Sequence, residues 1–512
     1  MVSFAPANPE GRDTVGVVDL GSNSVRLVVY EGGRRIPMPL FNEKETCALG
    51  RTLDETGRMD PDGVVLAHRA LGRFTALAGS MGVQRLDILG TAAVREATDG
   101  PHFCRDVERR FGVPIRILSG EEEAQLAAAG VLCGKPEADG LVADLGGGSL
   151  DLVDVGQGRY GAYASFQLGV LRLMERAGKK PKRVAGLIDD AVKTLDWMGD
   201  LRGRNVYAVG GTWRAVARAC MAESDYPLQV LDNFSLDRDA ALSLLATLAR
   251  RDPDTLRKVD GISKRRAQHV PFGAAALHKL VEATQPERLV FSIYGMREGW
   301  FFENLPHAMQ MEDPLISLAR GYEEHFGRFP GAGAEMAAWT DGLFADDPPG
   351  LRRLRHAAGY LADSFWAEHP DYRAEQAFLR TLRLPFMGLD HRDRACLALA
   401  VLVRYKGDVK YKGDAKTDLA KKARDLIDEE RTGRATRVGL TLRLGYTLTG
   451  GVPGLLRRTR IARESGRLVL YVPAGEPAFT AGTVHKALDK LARTMNLESE
   501  IRAIAEADTG TG

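Results

Sequence analysis

The stretch VVDLGSNSVRLVV, residues 17–29, returns 125 residues later as VADLGGGSLDLVD, residues 142–154. In both copies an apolar run ends in Asp-Leu-Gly, and a second apolar run follows the turn, so that Asp19 aligns with Asp144. This pattern predicts two strands joined by a tight turn. An offset of this size is long enough for each copy to be a domain. We therefore expect two related α/β halves.

The rest of the first 300 residues alternates strand-like and helical patterns, as is typical of α/β proteins. Ser119 is a candidate N-cap for the helix that begins EEEAQL. A third glycine turn, Gly210-Gly211-Thr212, separates a predicted strand from a predicted helix. Further strands are predicted at residues 15–20, 24–30, 85–90 and 115–118, and helices at residues 62–78, 103–111 and from Met296 onward.

Residues 312–449 have an almost purely helical period, and two strands and a covering helix at residues 482–495 are predicted after them. The tail after Ile504 is expected to be disordered. The predicted organisation is a disordered N-terminal tail (1–13), two α/β domains (14–135 and 136–306), a helical domain (312–449) and a small α+β domain (450–505).

The composition describes a multidomain globular protein, with 512 residues, 44% hydrophobic and 27% charged. No apolar run approaches the roughly 18 residues that a membrane span needs, and the N-terminus lacks the features of a signal peptide. The five cysteines are odd in number and contain no C-x-x-C, which argues against disulfides and structural zinc. We expect a cytoplasmic protein with no membrane partner.

Positive charge is concentrated in one segment, although the net charge is only +2. Residues 404–467 contain seventeen Lys or Arg against eight Asp or Glu, a balance of +9 that leaves about −7 for the rest. The segment includes the tandem repeat YKGDVK-YKGDAK, residues 405–416. A solvated helical face explains such charge, and so does an electrostatic groove for a polyanion.

The aspartate-glycine turns suit phosphate chemistry. A glycine-rich turn points several backbone N–H groups at one place, and an adjacent carboxylate is a ligand for a divalent metal. The dinucleotide fingerprint is disfavoured because residues 146–149 lead into a strand rather than a helix, and no G-K-[ST] of a P-loop is present. Two such turns, one from each half, would face each other across a cleft.

Six motifs together resemble the exopolyphosphatase and guanosine pentaphosphate phosphohydrolase family, over residues 15–306. They are DLGSNS, GTAAVREA (90–97), SGEEEAQL (119–126), DLGGGS, VGGTWRA and SIYGMREG (292–299). The resemblance implies an α/β fold of two duplicated ribonuclease-H-like domains, as in the actin and hexokinase superfamily. The remainder resembles the longer members, which add an all-helical HD-like domain and a small α+β C-terminal domain.

The resemblance also implies roles for residues. Glu123 would be the general base, with Glu121 and Glu122 as alternatives, and Arg95 would neutralise charge on the transferred phosphoryl group. Asp144 would act in catalysis and bind Mg²⁺, or another divalent metal, together with Asp19 and Asp151. The residues implied in phosphate binding are Gly21, Ser22, Asn23, Ser24, Gly146, Gly147, Gly148, Ser149, Gly210, Gly211, Thr212 and Arg266, with Lys264 and Arg265 as alternatives to Arg266.

Two departures from the family pattern stand out. Asp151 occupies a position where the family usually has glutamate, so the metal shell would be shifted or completed by water. The helical domain contains no His-Asp dipeptide, and in the stretch LRHAAGYLAD (354–363) the expected metal-ligand pair is replaced. We therefore expect a degenerate, noncatalytic HD-like domain. Arg297 and Glu298 are expected to be mainly structural.

The function that the resemblance implies is processive hydrolysis of inorganic polyphosphate from its end, by a homodimer that binds no nucleic acid. The basic segment would grip the chain, with Lys410, Lys412, Lys416, Lys421, Lys422 and Arg424 as candidates. Hydrolysis of guanosine pentaphosphate is the nearest alternative, although no guanine pocket is recognisable. A nucleotide-binding switch without turnover is a second alternative, and a kinase, which would need an acceptor-sugar motif, is a weaker one.

Overall fold

The computed structural model describes residues 13–178, 180–385, 387–407 and 425–504. The chain divides into two compact units, Met1–Glu312 and Asp313–Gly512. Among the described residues, no helix is long and apolar enough to cross a membrane. The six lysines and arginines predicted to grip a polyanion, residues 410–424, lie outside the described residues, as does the tail after Ile504.

Five strands form the first sheet of the first unit: β1 (Thr14–Leu20), β2 (Ser24–Glu31), β3 (Pro39–Thr46), β4 (Arg85–Gly90) and β5 (Ile115–Ile117). Their spatial order is β3-β2-β1-β4-β5. The first three strands form an antiparallel meander, whereas β4 and β5 run parallel to β1. Asp19 therefore lies near the carboxyl end of the central strand, and β3 is an edge strand.

Six strands form the second sheet: β6 (Gly140–Leu145), β7 (Leu150–Gly156), β8 (Arg159–Phe166), β9 (Asn205–Val209), β10 (Phe234–Asp237) and β11 (Arg288–Phe291). The order β8-β7-β6-β9-β11 repeats the arrangement of the first sheet, and β10 is added at the far edge. Strands β6 to β8 are antiparallel, and β9 runs parallel to both β6 and β11. Asp144 thus takes the place in β6 that Asp19 has in β1.

The helices of this unit are α1 (Leu53–Thr56), α2 (Pro61–Ser80), α3 (Ala92–Glu96), α4 (Gly100–Phe111), α5 (Gly120–Gly134), α6 (Val170–Arg176), α7 (Val184–Val192), α8 (Gly211–Glu223), α9 (Arg238–Leu248), α10 (Pro253–Leu256), α11 (Lys264–Thr284), α12 (Met296–Glu303) and α13 (His307–Gln310). Helices α5 and α12 pack closely because glycine lies where they meet. A Cβ on Gly130 would lie 2.3 Å from the Gly295 carbonyl oxygen, and one on Gly299 would lie 1.9 Å from that of Leu126. This packing fixes α5, which carries Glu123.

The described residues of the second unit are helical apart from a small sheet. Its helices are α14 (Pro314–Phe326), α15 (Ala332–Asp341), α16 (Pro349–Leu361), α17 (Pro370–Arg383), α18 (His391–Lys406), α19 (Glu429–Thr449) and α20 (Gly482–Arg493). The sheet has the order β12 (Arg460–Glu464), β13 (Arg467–Pro473) and β14 (Glu498–Ile504), with β14 parallel to β13.

The predicted α/β character of the first 300 residues and the helical character of residues 312–449 are confirmed for the described residues. The two strands that follow and the helix near residue 482 are also present. Strand β14 was not predicted. Its sequence, ESEIRAI, begins with three polar residues and contains no more than two adjacent apolar ones, so it lacks the apolar run that identifies β13.

Candidate active site

The first glycine turn is held by its carbonyl groups, which leaves N–H groups free. The Ser22 carbonyl accepts a hydrogen bond from the N–H of Gly50 (2.8 Å). The Asn23 carbonyl accepts from the N–H groups of Cys47 and Ala48 (3.2 and 3.0 Å). Within the part of the chain that the structure describes, the N–H groups of Ser22 and Asn23 donate no hydrogen bond. Adjacent free N–H groups of this kind form an anion-binding concavity.

The second glycine turn is built in the same way. The carbonyls of residues 146–148 accept hydrogen bonds of 3.0 to 3.1 Å from the N–H groups of residues 169–171, where α6 begins. The N–H groups of residues 147–149 donate no hydrogen bond to any described residue. A Cβ on Gly148 would lie 3.3 Å from the Ser22 hydroxyl oxygen. The two turns are therefore adjacent and offer free N–H groups to the same region.

The third glycine turn opens helix α8, whose first N–H groups have no side-chain cap. Such groups favour an anion at a helix N-terminus. Gly210 has a φ of +105°, and a Cβ there would lie 2.7 Å from both Asp144 Oδ1 and the Leu145 carbonyl oxygen. Only glycine fits this close approach to the end of β6.

These three turns surround a cavity of about 220 Å³. Three carboxylates line it, namely Asp19, Glu123 and Asp144. No Phe, Tyr or Trp of the described residues is among its walls. Six cationic side chains also line it: Arg26, Lys44, Arg214, Arg265, Arg266 and Arg297. The walls suit a compact polyanion accompanied by a cation.

The three carboxylates are half-buried beside one another at the cavity, and the partial loss of water together with their mutual repulsion raises their pKa values. Burial, followed by repulsion from Glu123, raises the pKa of Asp144 to about 7. Burial also raises the pKa of Asp19, although Arg297 Nε lies 3.7 Å from its Oδ2 and opposes the rise. The pKa of Glu123 is raised by burial and by the charge of Asp151. A bound cation would offset the repulsion within this group.

Glu123 has different surroundings from its neighbours Glu121 and Glu122 at the start of α5. The Ser119 hydroxyl caps the helix, and Glu122 completes a capping box by accepting from the Ser119 N–H. Glu121 accepts a hydrogen bond from the Tyr163 hydroxyl (3.0 Å). Of these three glutamates, Glu123 lines the cavity, and Arg95 Nη1 donates to its Oε2 (3.1 Å). Among these three glutamates, Glu123 is thus the one placed to contact a molecule in the cavity.

Asp151 lies behind the second glycine turn. It pairs with Asp144 across β6 and β7, and its side chain accepts hydrogen bonds from the hydroxyls of Ser149 (2.9 Å) and Ser165 (2.6 Å). It is 4% exposed and does not line the cavity. Burial raises its pKa, which the two hydroxyls oppose. The arrangement lets Asp151 anchor the second turn through Ser149.

The three aspartates predicted to bind metal differ in how well they fit that role. In the described ranges, no group of three or more His, Cys, Asp or Glu is arranged to hold a metal ion. Mg²⁺, however, is usually held by one or two carboxylates together with water and substrate phosphate. Asp19 and Asp144, two crowded carboxylates beside free N–H groups, fit this mode, whereas Asp151 has both oxygens engaged by serine hydroxyls.

Most of the predicted phosphate-binding residues meet at the cavity. The exception is Thr212, which is buried and accepts a hydrogen bond from Arg266 Nη1 (3.1 Å). The predicted catalytic residue Arg95 and the predicted metal ligand Asp151 do not line the cavity either, and Arg95 contacts Glu123. The predicted residues that line the cavity are Asp19, Gly21, Ser22, Asn23, Ser24, Glu123, Asp144, Gly146, Gly147, Gly148, Ser149, Gly210, Gly211 and Arg266.

Three cationic residues of the cavity were not predicted as site residues, namely Arg26, Lys44 and Arg214, and Arg297 was predicted to be mainly structural. Arg26 pairs with Asp19 across β1 and β2, and Lys44 pairs with Arg26 across β2 and β3. Asp19, Arg26 and Lys44 therefore form one row across the first sheet. Period-two alternation places Arg26 on the same face as Ser24 and identifies one member of the row, but Lys44 depends on the register of β3.

Comparison with known proteins finds two family models that match this chain. The family model described as the Ppx/GppA phosphatase family matches residues 28–308, and one described as the C-terminal part of exopolyphosphatase matches residues 332–500. Exopolyphosphatase 1 of Mycobacterium leprae is 28% identical over 57% of this chain and 89% of its own. A guanosine-5'-triphosphate,3'-diphosphate pyrophosphatase of Vibrio cholerae is 26% identical over 64% and 66%. The crystal structure of the Aquifex aeolicus Ppx/GppA family member shares the fold, with a TM-score of 0.50 and 23% identity over 57% of this chain and 99% of that one.

Proposed function

Because this chain belongs to the Ppx/GppA phosphatase family, we propose that it is an exopolyphosphatase, which hydrolyses the terminal phosphate of inorganic polyphosphate and releases orthophosphate. The observation that carries the proposal is the composition of the cavity. Its walls combine free N–H groups, six cations and three carboxylates, and they include no Phe, Tyr or Trp among the described residues. Polyphosphate has no base to stack, so it needs no aromatic wall.

The terminal phosphate would lie between the two glycine turns. The free N–H groups of residues 22–23 and 147–149 would bind its oxygens, together with those at the start of α8. Arg266, which is held by Thr212, and Arg214 would bind the next phosphates. Donors fixed in place before substrate arrives stabilise developing charge without reorganisation.

Glu123 would act as general base. It would accept a proton from the attacking water as the water oxygen bonds to the terminal phosphorus and the bridging P–O bond breaks. Its raised pKa makes the carboxylate a stronger base than an ordinary glutamate. Arg95 would orient the carboxylate through their 3.1 Å contact. Asp19 and Asp144 would hold Mg²⁺, which when bound supplies positive charge beside the phosphate oxygens.

The two sheets support the finer proposal that residues 14–135 and 136–306 are duplicated ribonuclease-H-like domains of the actin superfamily. Their five corresponding strands share one order and direction. We extend the proposal to a noncatalytic HD-like domain at residues 312–449. In its LRHAAGYLAD stretch, His356 Nε2 lies 2.9 Å from Asp341 Oδ1, and Arg355 contacts the same carboxylate (2.7 Å). A hydrogen-bond contact with Asp341, in a network that includes Arg355, engages this histidine.

Four features stay predictions: the small C-terminal domain at residues 450–505, the N-terminal tail at residues 1–13, the homodimer and the cytoplasmic location. So does the contribution of the basic segment to gripping the substrate. The role of its six candidate residues can be tested with polyphosphate of different lengths. Neutralising Lys410, Lys412 and Lys416 together should weaken the binding of long polyphosphate more than the binding of short polyphosphate. An equal effect on both lengths would contradict that role.

The deciding experiment measures phosphate release by the wild-type protein and by Glu123→Gln, with Mg²⁺, from long-chain polyphosphate and from guanosine pentaphosphate in parallel. Glu121→Gln is the matched control, since Glu121 lies on the same helical turn but contacts Tyr163 instead of the cavity. We expect preferential release from polyphosphate, a loss of about 10²- to 10⁴-fold in Glu123→Gln, and nearly normal rates in the control.

Other outcomes would point elsewhere. Preference for guanosine pentaphosphate would favour the nucleotide as substrate. No release from either compound would favour a binding protein without turnover. Equal losses in Glu123→Gln and Glu121→Gln would show that the helix start, rather than a base at position 123, matters for activity.

A further inference from the structure

Arg172 on α6 joins three separate parts of the first unit. Its Nη1 donates a hydrogen bond to the Gly148 carbonyl oxygen (3.1 Å). Its Nε donates to both carboxylate oxygens of Asp54 (3.2 and 3.1 Å), and its Nη2 donates to Asp54 Oδ1 and Glu96 Oε2 (2.8 Å each). The side chain is 8% exposed. A planar guanidinium can serve these acceptors together, whereas an ammonium cannot reproduce the fork.

Each acceptor lies next to a different part of the active site. Gly148 belongs to the second glycine turn. Asp54 lies four residues after Gly50 on the same segment, and the Gly50 N–H holds the first glycine turn (2.8 Å). Glu96 directly follows Arg95, and the two side chains approach to 3.9 Å. One buried cation thus connects the supports of both phosphate-binding turns with the partner of the general base.

We propose that Arg172 is a positioning residue for the phosphatase reaction, holding both glycine turns and the Arg95–Glu123 pair in their reactive arrangement. This inference rests on the proposed function. Arg172 does not line the cavity, so it acts through the groups that it binds. A displacement of about 1 Å at a reacting group can lower the rate about 100-fold. The contribution of Arg172 therefore lies in the rate of the bound complex more than in substrate affinity.

The central test is Arg172→Lys, which keeps the charge and loses the fork. The matched control is Arg176→Lys, an exposed arginine on the same helix. We expect kcat on a short polyphosphate to fall about 10- to 100-fold, with KM changed less than about threefold. Arg176→Lys should keep wild-type kinetics.

A double-mutant cycle with Glu96→Gln separates positioning from general damage. If Arg172 acts through Glu96, then Glu96→Gln lowers kcat less in the Arg172→Lys background than in the wild type, because coupled residues are not additive. Full additivity would overturn that link. A kcat for Arg172→Lys of at least half the wild-type value would overturn the proposal itself.

Hydrogen exchange of the two glycine turns provides a readout that does not depend on activity. The amides that report on the turns are those that donate to the turn carbonyls, at residues 47, 48 and 50 for the first turn and 169–171 for the second. Their exchange should be faster in Arg172→Lys than in the wild type and in Arg176→Lys. Unchanged exchange would contradict the positioning role. If the wild-type protein releases no phosphate from polyphosphate, the proposed function fails, and the exchange rates still decide whether Arg172 joins the two turns.

Discussion

Asp144→Asn is expected to stabilise the first unit increasingly as the pH rises, in the absence of divalent metal. Burial and repulsion by Glu123 raise the pKa of Asp144 from 3.8 to about 7. Because the folded-state pKa is above the unfolded one, the stability contribution of this carboxyl is fully present below pH 4 and is lost as the pH rises through 7. Asparagine carries no charge and avoids this loss.

The pKa shift corresponds to about 4 kcal/mol at about 1.4 kcal/mol per pH unit. Asp144 lines an open cavity, so solvent screening reduces this to about 2 kcal/mol. Between pH 5 and pH 8, the difference in unfolding free energy between the variant and the wild type should grow by about 1 to 1.5 kcal/mol. Comparing two pH values cancels the pH-independent effect of exchanging the side chains.

The assay is urea unfolding in EDTA at both pH values. Unfolding is monitored by hydrogen exchange at β6, so that the second unit does not contribute to the signal. Asp190→Asn, at an exposed position on α7, serves as the control and should show no growing difference. Added Mg²⁺ should stabilise the wild type at pH 8 and affect Asp144→Asn less, because a cation that binds only the folded state adds stability. A difference that is constant or shrinks with pH would refute the reasoning.

Two other substitutions test the walls of the cavity. Gly210→Ala should destabilise the protein by about 2 to 3 kcal/mol, because of the positive φ and the 2.7 Å approach to Asp144. Gly186, on α7, has open space around it, so Gly186→Ala should instead stabilise the protein by about 0.5 to 1 kcal/mol. Melting temperatures equal to that of the wild type would contradict both predictions. His269→Asn should make the protein less acid-sensitive. Burial lowers the pKa of this histidine from 6.5 to about 4, so the wild type should lose about 2 kcal/mol between pH 7.5 and pH 5; urea titrations that show parallel losses in both proteins would disprove this.

Local sequence was sufficient for the elements that hold the site. The apolar run before Asp19 predicted a strand over residues 15–20, and the strand observed is Thr14–Leu20. Ser119 was predicted as a helix cap, and its hydroxyl accepts a hydrogen bond from the Glu122 N–H. Both signals lie within a few residues of the structure that they produce, so no tertiary information was needed.

Features that depend on distant contacts could not be predicted in this way. Which of the three glutamates at the start of α5 lines the cavity depends on how the helix is oriented toward the rest of the site. Lys44 enters the site through the register of β3 against β2, and the pairing of these two strands shifts between Val29 and Tyr30 of β2. Ser165, which donates to Asp151, is 14 residues away on a neighbouring strand. Arg172 has acceptors 118 and 76 residues away, and no local pattern indicates them.

The edge strand β3 also bears on how the protein behaves at high concentration. Its backbone faces no further strand of the first sheet, so it could in principle pair with an extended segment of another chain. The strand contains Glu43, Lys44 and Glu45, and most of its residues are exposed. A pairing segment would have to accommodate this charged row, which opposes edge-to-edge aggregation. The strand that supplies Lys44 to the cavity thus also protects the folded protein from growing into larger sheets.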